Sequence, residues 1–295
     1  MRTEAVAVAA LLTLAGTSSF GRARVQAPDE TAAVFVGAGD IANCENLDSA
    51  RATSNLLDIP GAAVFTLGDH VYPTASPKGF RDCYGPTWGR YKARTHPAVG
   101  NHDLAKDLGR SYYDYFGDLA GPKGRGFYSF ELGGWHLISL NSAGAVGPHS
   151  PQMKWLRDDL AAHPAACVLA YWHIPKFSSG GHGSDPTMDE AWHLLYQAGA
   201  DVVLNGHAHD YERFAPQSDK GRADPGRGIR EFVVGTGGGE PDRFGRPVPN
   251  SEVHETGVTG VLKLTLKPDS YTWEFIGTEG QRFRDSGEGR CSPPL

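Results

Sequence analysis

The stretch NGHAHDYER, Asn205 to Arg213, directly follows an apolar run at 200–204 and sets two histidines one residue apart. On extended backbone, residues i and i+2 point to the same side, so His207 and His209 can aim their rings at one small volume. Neutral imidazole is a good ligand for Zn, Fe and Mn-type ions, and metal binding is the chemistry this spacing suits. Taken alone, an HxH is more often two solvated loop histidines, and the rest of the chain has to decide. Four other apolar runs end in polar clusters: Gly39-Asp40, Gly68-Asp69-His70-Val71-Tyr72, Gly100-Asn101-His102-Asp103 and, after 167–172, His173. Each by itself reads as a turn or a satisfied polar strand end. Five such ends in one chain, supplying Asp, Asp, Asn, His and the HxH pair, point to a shared metal site. In open α/β sheets, sites form at the carboxyl ends of strands.

The elements that must position these residues alternate along the chain. Short apolar runs at 32–36, 63–67, 166–171 and 201–204 read as strands. The segment 48–58 reads as a helix that stops before Ile59-Pro60-Gly61. Ser150 and Pro151 open a helix whose Met153, Leu156 and Leu160 share a face. Thr187-x-x-Glu190 reads as a capping box for a helix reaching Gln197. Gly133-Gly134 joins one hairpin, and Pro268-Asp269 joins a final one. The pattern predicts an α/β protein with mixed sheets covered by helices. The segments 216–227 and the tail from Arg284 read as the flexible places.

Composition sets outer bounds. The 295 residues are 40% hydrophobic and 21% charged, as in an ordinary globular protein. A net charge of −6 argues against a nucleic-acid-binding surface, so phosphate recognition would need a local positive centre. Arg2 precedes an apolar stretch at 6–15 that is too short to span a bilayer, and Val25-Gln26-Ala27 has the form of a cleavage site. Residues 1–27 therefore read as a signal peptide and 28–295 as one catalytic domain, secreted to the exterior or the cell wall with no stable membrane span. The cysteines Cys44, Cys83, Cys167 and Cys291 suit an exported chain with disulfides and allow three pairings. Cys167, inside an apolar run, reads as a buried thiol. GTGGGE, 235–240, is not followed by a helix and is no dinucleotide fingerprint. Neither a P-loop nor a nucleophile elbow occurs.

The ordered set resembles the calcineurin-like metallophosphoesterase superfamily and, within it, the purple acid phosphatases. Their pattern is D-x-G, G-D-x-x-Y, G-N-H-[DE], V-x-x-H and G-H-x-H. It stands here as Asp40-Ile-Ala42, Gly68-Asp69-His-Val-Tyr72, Gly100-Asn101-His102-Asp103, Ala170-Tyr-Trp-His173 and Gly206-His207-Ala-His209, and "YER" at Tyr211-Glu212-Arg213 is also similar. Two positions depart, Ala42 for Gly and Ala170 for Val, and neither carries a ligand. The resemblance spans residues 32–276, with no room expected for the extra N-terminal β domain of the plant enzymes.

The resemblance implies a four-layer αββα sandwich with two mixed β-sheets, the metallophosphatase fold. It implies two metal ions, one held by Asp40, Asp69, Tyr72 and His209, the other by Asp69, Asn101, His173 and His207, with Asp69 bridging. Tyr72, as a hard phenolate, favours Fe(III), paired with a divalent ion such as Fe, Zn or Mn. Two metals about 3.5–4 Å apart can clamp the attacking and leaving oxygens of a phosphate ester and provide hydroxide near neutral pH. The expected reaction is hydrolysis of a small phosphomonoester by direct attack of that hydroxide. The alternatives are a phosphodiesterase or nucleotidase on the same centre and a non-catalytic wall-associated binding domain. His102 is expected to contact phosphate or protonate the leaving alkoxide, with Asp103 orienting its ring. His182, nine residues after His173 in a Gly-rich stretch, matches a substrate-facing histidine of the family. His70 reads as a turn residue, and His136, His149, His163, His193 and His254 as structural or surface residues.

Overall fold

A computed structural model describes Met1 and residues 32–292; the expected signal peptide lies outside the described residues apart from Met1. The strands, in chain order, are β1 (Ala33–Ala38), β2 (Ala42–Asn43), β3 (Ala63–Leu67), β4 (Val71–Tyr72), β5 (Thr95–Ala98), β6 (Tyr128–Leu132), β7 (Trp135–Ser139) and β8 (Val168–Tyr171). They continue with β9 (Val202–Asn205), β10 (Asp210–Phe214), β11 (Arg230–Val234), β12 (Ser251–Thr256), β13 (Gly260–Lys267), β14 (Ser270–Gly277) and β15 (Ser286–Arg290). The α-helical segments are α1 (Asp48–Asn55), α2 (Pro77–Gly79), α3 (Asn101–Leu104), α4 (Arg110–Phe116), α5 (Pro151–Ala162) and α6 (Asp189–Ala198).

Two mixed sheets form, in the order β15-β14-β13-β1-β3-β5 and β12-β10-β11-β9-β8-β7-β6. Strands β1, β3 and β5 run parallel, as do β7, β8, β9 and β11, so the carboxyl ends of each set lie at one edge of their sheet. The period-2 alternation of strand side chains divides the core in two. In β8, Leu169 and Tyr171 join the cluster that includes Phe35 and Phe65 of the other sheet, whereas Val168 and Ala170 join Met153 and Leu156 of α5 and Trp192 and Leu195 of α6. Phe35 and Tyr171 meet across the two sheets with ring centroids 5.8 Å apart. These strands are apolar on both faces because both faces are covered, and the layers read helix, sheet, sheet, helix.

Local signals explain most element boundaries. Ser150 Oγ accepts from the Met153 amide at 3.2 Å, with Pro151 at the first helical position, as the sequence predicts. The capping box expected at Thr187 does not form. Asp185 accepts from the Thr187 amide at 2.7 Å instead and caps a 3₁₀ turn over Pro186–Met188 that leads into α6. Pro186, with its preset φ, starts the turn one residue earlier than Thr187 could.

Two further expectations are corrected at the C-terminus. Cys167 is not a buried thiol but is disulfide-bonded to Cys291, across 124 residues of sequence. The tail after Arg284 is not loose: it forms β15 along β14, and the Ser292 amide donates to Asp201 Oδ1 at 2.6 Å. The other disulfide joins Cys44 to Cys83. Segment 216–227 is a hydrogen-bonded loop in which the Asp224 amide donates to the Pro216 carbonyl at 2.8 Å. Among the described residues, no helix is long and apolar enough to cross a membrane.

Candidate metal centre

Asp40, Asp69 and His173 each stand two residues beyond the end of β1, β3 and β8. Asn101 opens α3 just after β5, and His207 and His209 fill the turn between β9 and β10. The small parallel pair of β2 and β4 sets Asn43 opposite Tyr72 and so brings Tyr72 beside the turn that carries Asp40. Asp40, Asp69 and His207 adopt left-handed backbone, with φ of 62°, 50° and 71°. Such conformations cost energy in non-glycine residues and persist where surrounding contacts demand them. Here Asp40 Oδ2 accepts from the His207 amide at 2.8 Å and Asp69 Oδ1 from the His102 amide at 2.8 Å. Each aspartate thus spends one oxygen on the backbone and turns the other inward. Gly100 permits this crowding, since a Cβ there would stand 2.1 Å from Asp69 Oδ1.

The inward atoms form two groups that share Asp69 Oδ2. In the first, Tyr72 Oη lies 2.7 Å from Asp40 Oδ1, 2.9 Å from His209 Nε2 and 3.3 Å from Asp69 Oδ2. In the second, His173 Nε2 lies 2.9 Å from Asn101 Oδ1, 3.1 Å from Asp69 Oδ2 and 3.3 Å from His207 Nδ1. Metal–donor bonds of roughly 2.0–2.2 Å place neighbouring donors about 2.8–3.6 Å apart, so both groups have the spacing of a coordination shell. The ring orientations agree. His173 Nδ1 donates to the Leu67 carbonyl at 2.7 Å and His209 Nδ1 to the Glu240 carbonyl at 2.5 Å, leaving each Nε2 lone pair facing the centre.

Electrostatics describes the same fit from the proton side. Burial opposes charge on His173 and His209, but Asp69 and Asp40 respectively outweigh it and push both up to about 9. Burial raises Asp40 and Asp69 too, yet His209 and His173 pull both carboxyls below their ordinary range. Burial and the neighbouring His173 push His207 down to about 4. Burial, with the Asp40 and Asp69 charges, holds the Tyr72 phenol well above 10. Metal binding at such a set releases protons.

His102 sits at the rim, its side chain 37% exposed, with its ring 4.8 Å from that of Tyr72 and Nε2 3.9 Å from Asp69 Oδ2. Its Nδ1 meets the Pro73 carbonyl at 2.5 Å. The expected contact from Asp103 to this ring is not made. Asp103 is fully buried and instead accepts from His70 Nδ1 at 2.8 Å and from the amides of Gly100, Asp69 and His70 at 2.9, 3.0 and 3.2 Å. His70 Nε2 in turn meets Thr66 Oγ1 at 2.7 Å. This pair ties the Asp69 turn to the Asn101 turn. Only the Asp103 hydrogen bond to Gly100 had a local signal: Asp103 lies three residues after Gly100, where an acid caps the helix start. His182 is exposed, its ring 4.4 Å from that of His207 and Nε2 3.6 Å from Asp242 Oδ2.

Sequence reasoning missed the residues that brace this rim. Asp242 Oδ2 accepts from the His209 amide at 3.0 Å. Glu212, fully buried, accepts from the Ser179 amide at 2.8 Å and hydroxyl at 2.6 Å, and so fastens the loop that leads to His182. Tyr211 and Arg213 point elsewhere, to Asp285 at 2.7 and 2.8 Å.

The chain is 27% identical over 220 residues to purple acid phosphatase 18 of Arabidopsis thaliana, covering 70% of this chain and 48% of that one. It is 27% identical over 201 residues to the Fe(3+)-Zn(2+) purple acid phosphatase 12 of the same plant, covering 59% and 42%. The chain thus spans about half the length of the curated relatives it matches. A purple acid phosphatase from yellow lupin (Lupinus luteus) seeds shares the fold with a TM-score of 0.71 at 19% identity, over 87% of this chain and 53% of that one. The family profile of the calcineurin-like phosphoesterases matches residues 23–211, well over half of the chain and a span that holds all seven inward-facing donors. The chain belongs to the calcineurin-like phosphoesterases, and within them it is purple-acid-phosphatase-like.

Proposed function

We propose that this protein is a binuclear metal-dependent phosphatase acting on small phosphomonoesters. The observation that carries the reading is the sharing of Asp69 Oδ2 between two groups of donors at coordination spacing. Asp40, Asp69, Tyr72 and His209 would hold one ion, and Asp69, Asn101, His173 and His207 the other. The donor set supports Fe(III) at the Tyr72 side with a divalent ion, Fe, Zn or Mn, beside it, because a phenolate is a hard anionic donor. When bound, the metal pair supplies positive charge for the phosphate and ionises a water for attack on phosphorus. His102, its ring anchored at Pro73, supplies the proton that the alkoxide takes as the P–O ester bond breaks. His182, its ring 4.4 Å from that of His207, would contact a phosphate oxygen. Two disulfides support export to an oxidising compartment, secreted or wall-associated.

The test couples metal analysis of purified protein to hydrolysis of p-nitrophenyl phosphate before and after chelation. Turnover that tracks metal content and returns on reloading is expected. Undiminished turnover in the fully chelated protein would refute the proposal.

A further inference from the structure

The rim beside His102 carries information about the leaving group. A cleft of about 220 Å³ opens there, walled by Tyr72, Pro73, His102 and His209 and edged by Glu45 and Glu240. Among the described residues, neither lysine nor arginine lines it. Both carboxylates are exposed, but the backbone beneath them is fixed to the centre. Glu240 lends its carbonyl to His209 Nδ1 at 2.5 Å, while the Gly239 amide donates to the Asp40 carbonyl at 2.7 Å. Glu45 follows Cys44 of the Cys44–Cys83 disulfide, and its amide donates to Asn43 Oδ1 at 3.0 Å, next to the strand that faces Tyr72. Glu45 and Glu240 therefore edge the pocket that an alkoxide would leave through if His102 protonates it. The cleft is also smaller than the sites that enclose drug-sized ligands.

From this placement, and resting on the phosphatase reading above, we infer that the preferred substrate is a small aminoalkyl phosphomonoester. Its ammonium group lies between Glu45 and Glu240, and esters with anionic leaving groups are turned away. The metal centre attracts the phosphoryl end of every substrate alike, so the second charge at the rim discriminates between leaving groups.

Three substrates of similar size isolate that charge: phosphoethanolamine (cationic leaving group), propyl phosphate (neutral) and phosphoglycolate (anionic). Their intrinsic reactivities differ, so the informative quantity is the change in their kcat/KM ratios between wild type and the Glu45→Gln/Glu240→Gln variant at matched metal content. Two rim carboxylates act in opposite senses on a cation and an anion. The ratio of phosphoethanolamine to phosphoglycolate should fall about tenfold in the variant. About 0.5 M salt should produce most of the same fall in wild type. Calorimetric affinities of 3-aminopropylphosphonate and butylphosphonate, which are not hydrolysed, should shift in parallel. Turnover with ratios unchanged in the variant would overturn this inference and leave the phosphatase reading intact. Failure of the metal-loaded wild type to hydrolyse any of the esters or p-nitrophenyl phosphate would overturn both.

Discussion

His102 shows what single residues contribute here. Its Nδ1 is held by the Pro73 carbonyl and its ring lies against that of Tyr72, which leaves Nε2 at the open rim of the centre. His102→Ala should lower kcat for alkyl phosphates about 100-fold, and much less for p-nitrophenyl phosphate, whose leaving group needs little protonation. Equal losses on both substrates, measured at matched metal content, would remove the acid role. Six of the inward-facing side chains were legible as candidates because they stand at the polar ends of apolar runs, where strand ends gather, whereas Tyr72 was legible through the resemblance of its G-D-x-x-Y spacing. The work of Asp103 was not. Adjacency to His102 suggested a contact, but in a tight turn neighbouring side chains diverge, and the partner of Asp103 is His70, 33 residues away. Long-range pairing of two buried polar groups leaves no local pattern to read.

Elements were legible where local rules acted alone. Ser150 with Pro151 marked a helix start, and the paired glycines at 133 and 134 marked a hairpin, because caps and turns depend on few neighbouring residues. Thr187 failed as a cap because Asp185-Pro186 competes for the same turn and starts it first. The tail failed for a different reason. β15, SGEGR, has little apolar content and finds its place by pairing with β14 and through the Cys167–Cys291 bond. That bond closes a span of 124 residues, and loop-closure entropy assigns such a cross-link up to about 4–5 kcal/mol. Cys167→Ala/Cys291→Ala should lower the melting temperature by up to about 8–20 °C by the usual scaling, roughly 2–4 °C per kcal/mol at this size. A melting temperature within a degree or two of wild type would show that the cross-link adds nothing to the stability of the fold.

At the scale of the whole molecule, the sheets bring together residues that are 169 positions apart in sequence, from Asp40 to His209, whose facing atoms stand 3.3 Å apart. The sequence pattern implied mixed sheets and a site at their carboxyl ends. The layering follows from strands that are buried on both faces. The strand order could not be read along the chain, because β13 inserts beside β1 from more than 220 residues downstream. The overall charge of −6 leaves attraction of phosphate to the centre itself, which makes occupancy by cations the claim on which the rest depends. Metal stoichiometry of the purified protein and of Asp69→Asn, both loaded with iron and zinc and freed of excess, tests it most directly. Two ions per wild-type chain and at most one in Asp69→Asn are expected, since the variant removes the shared charge while keeping the side chain's shape. Fewer than two ions in wild type, or two retained in Asp69→Asn, would contradict the account.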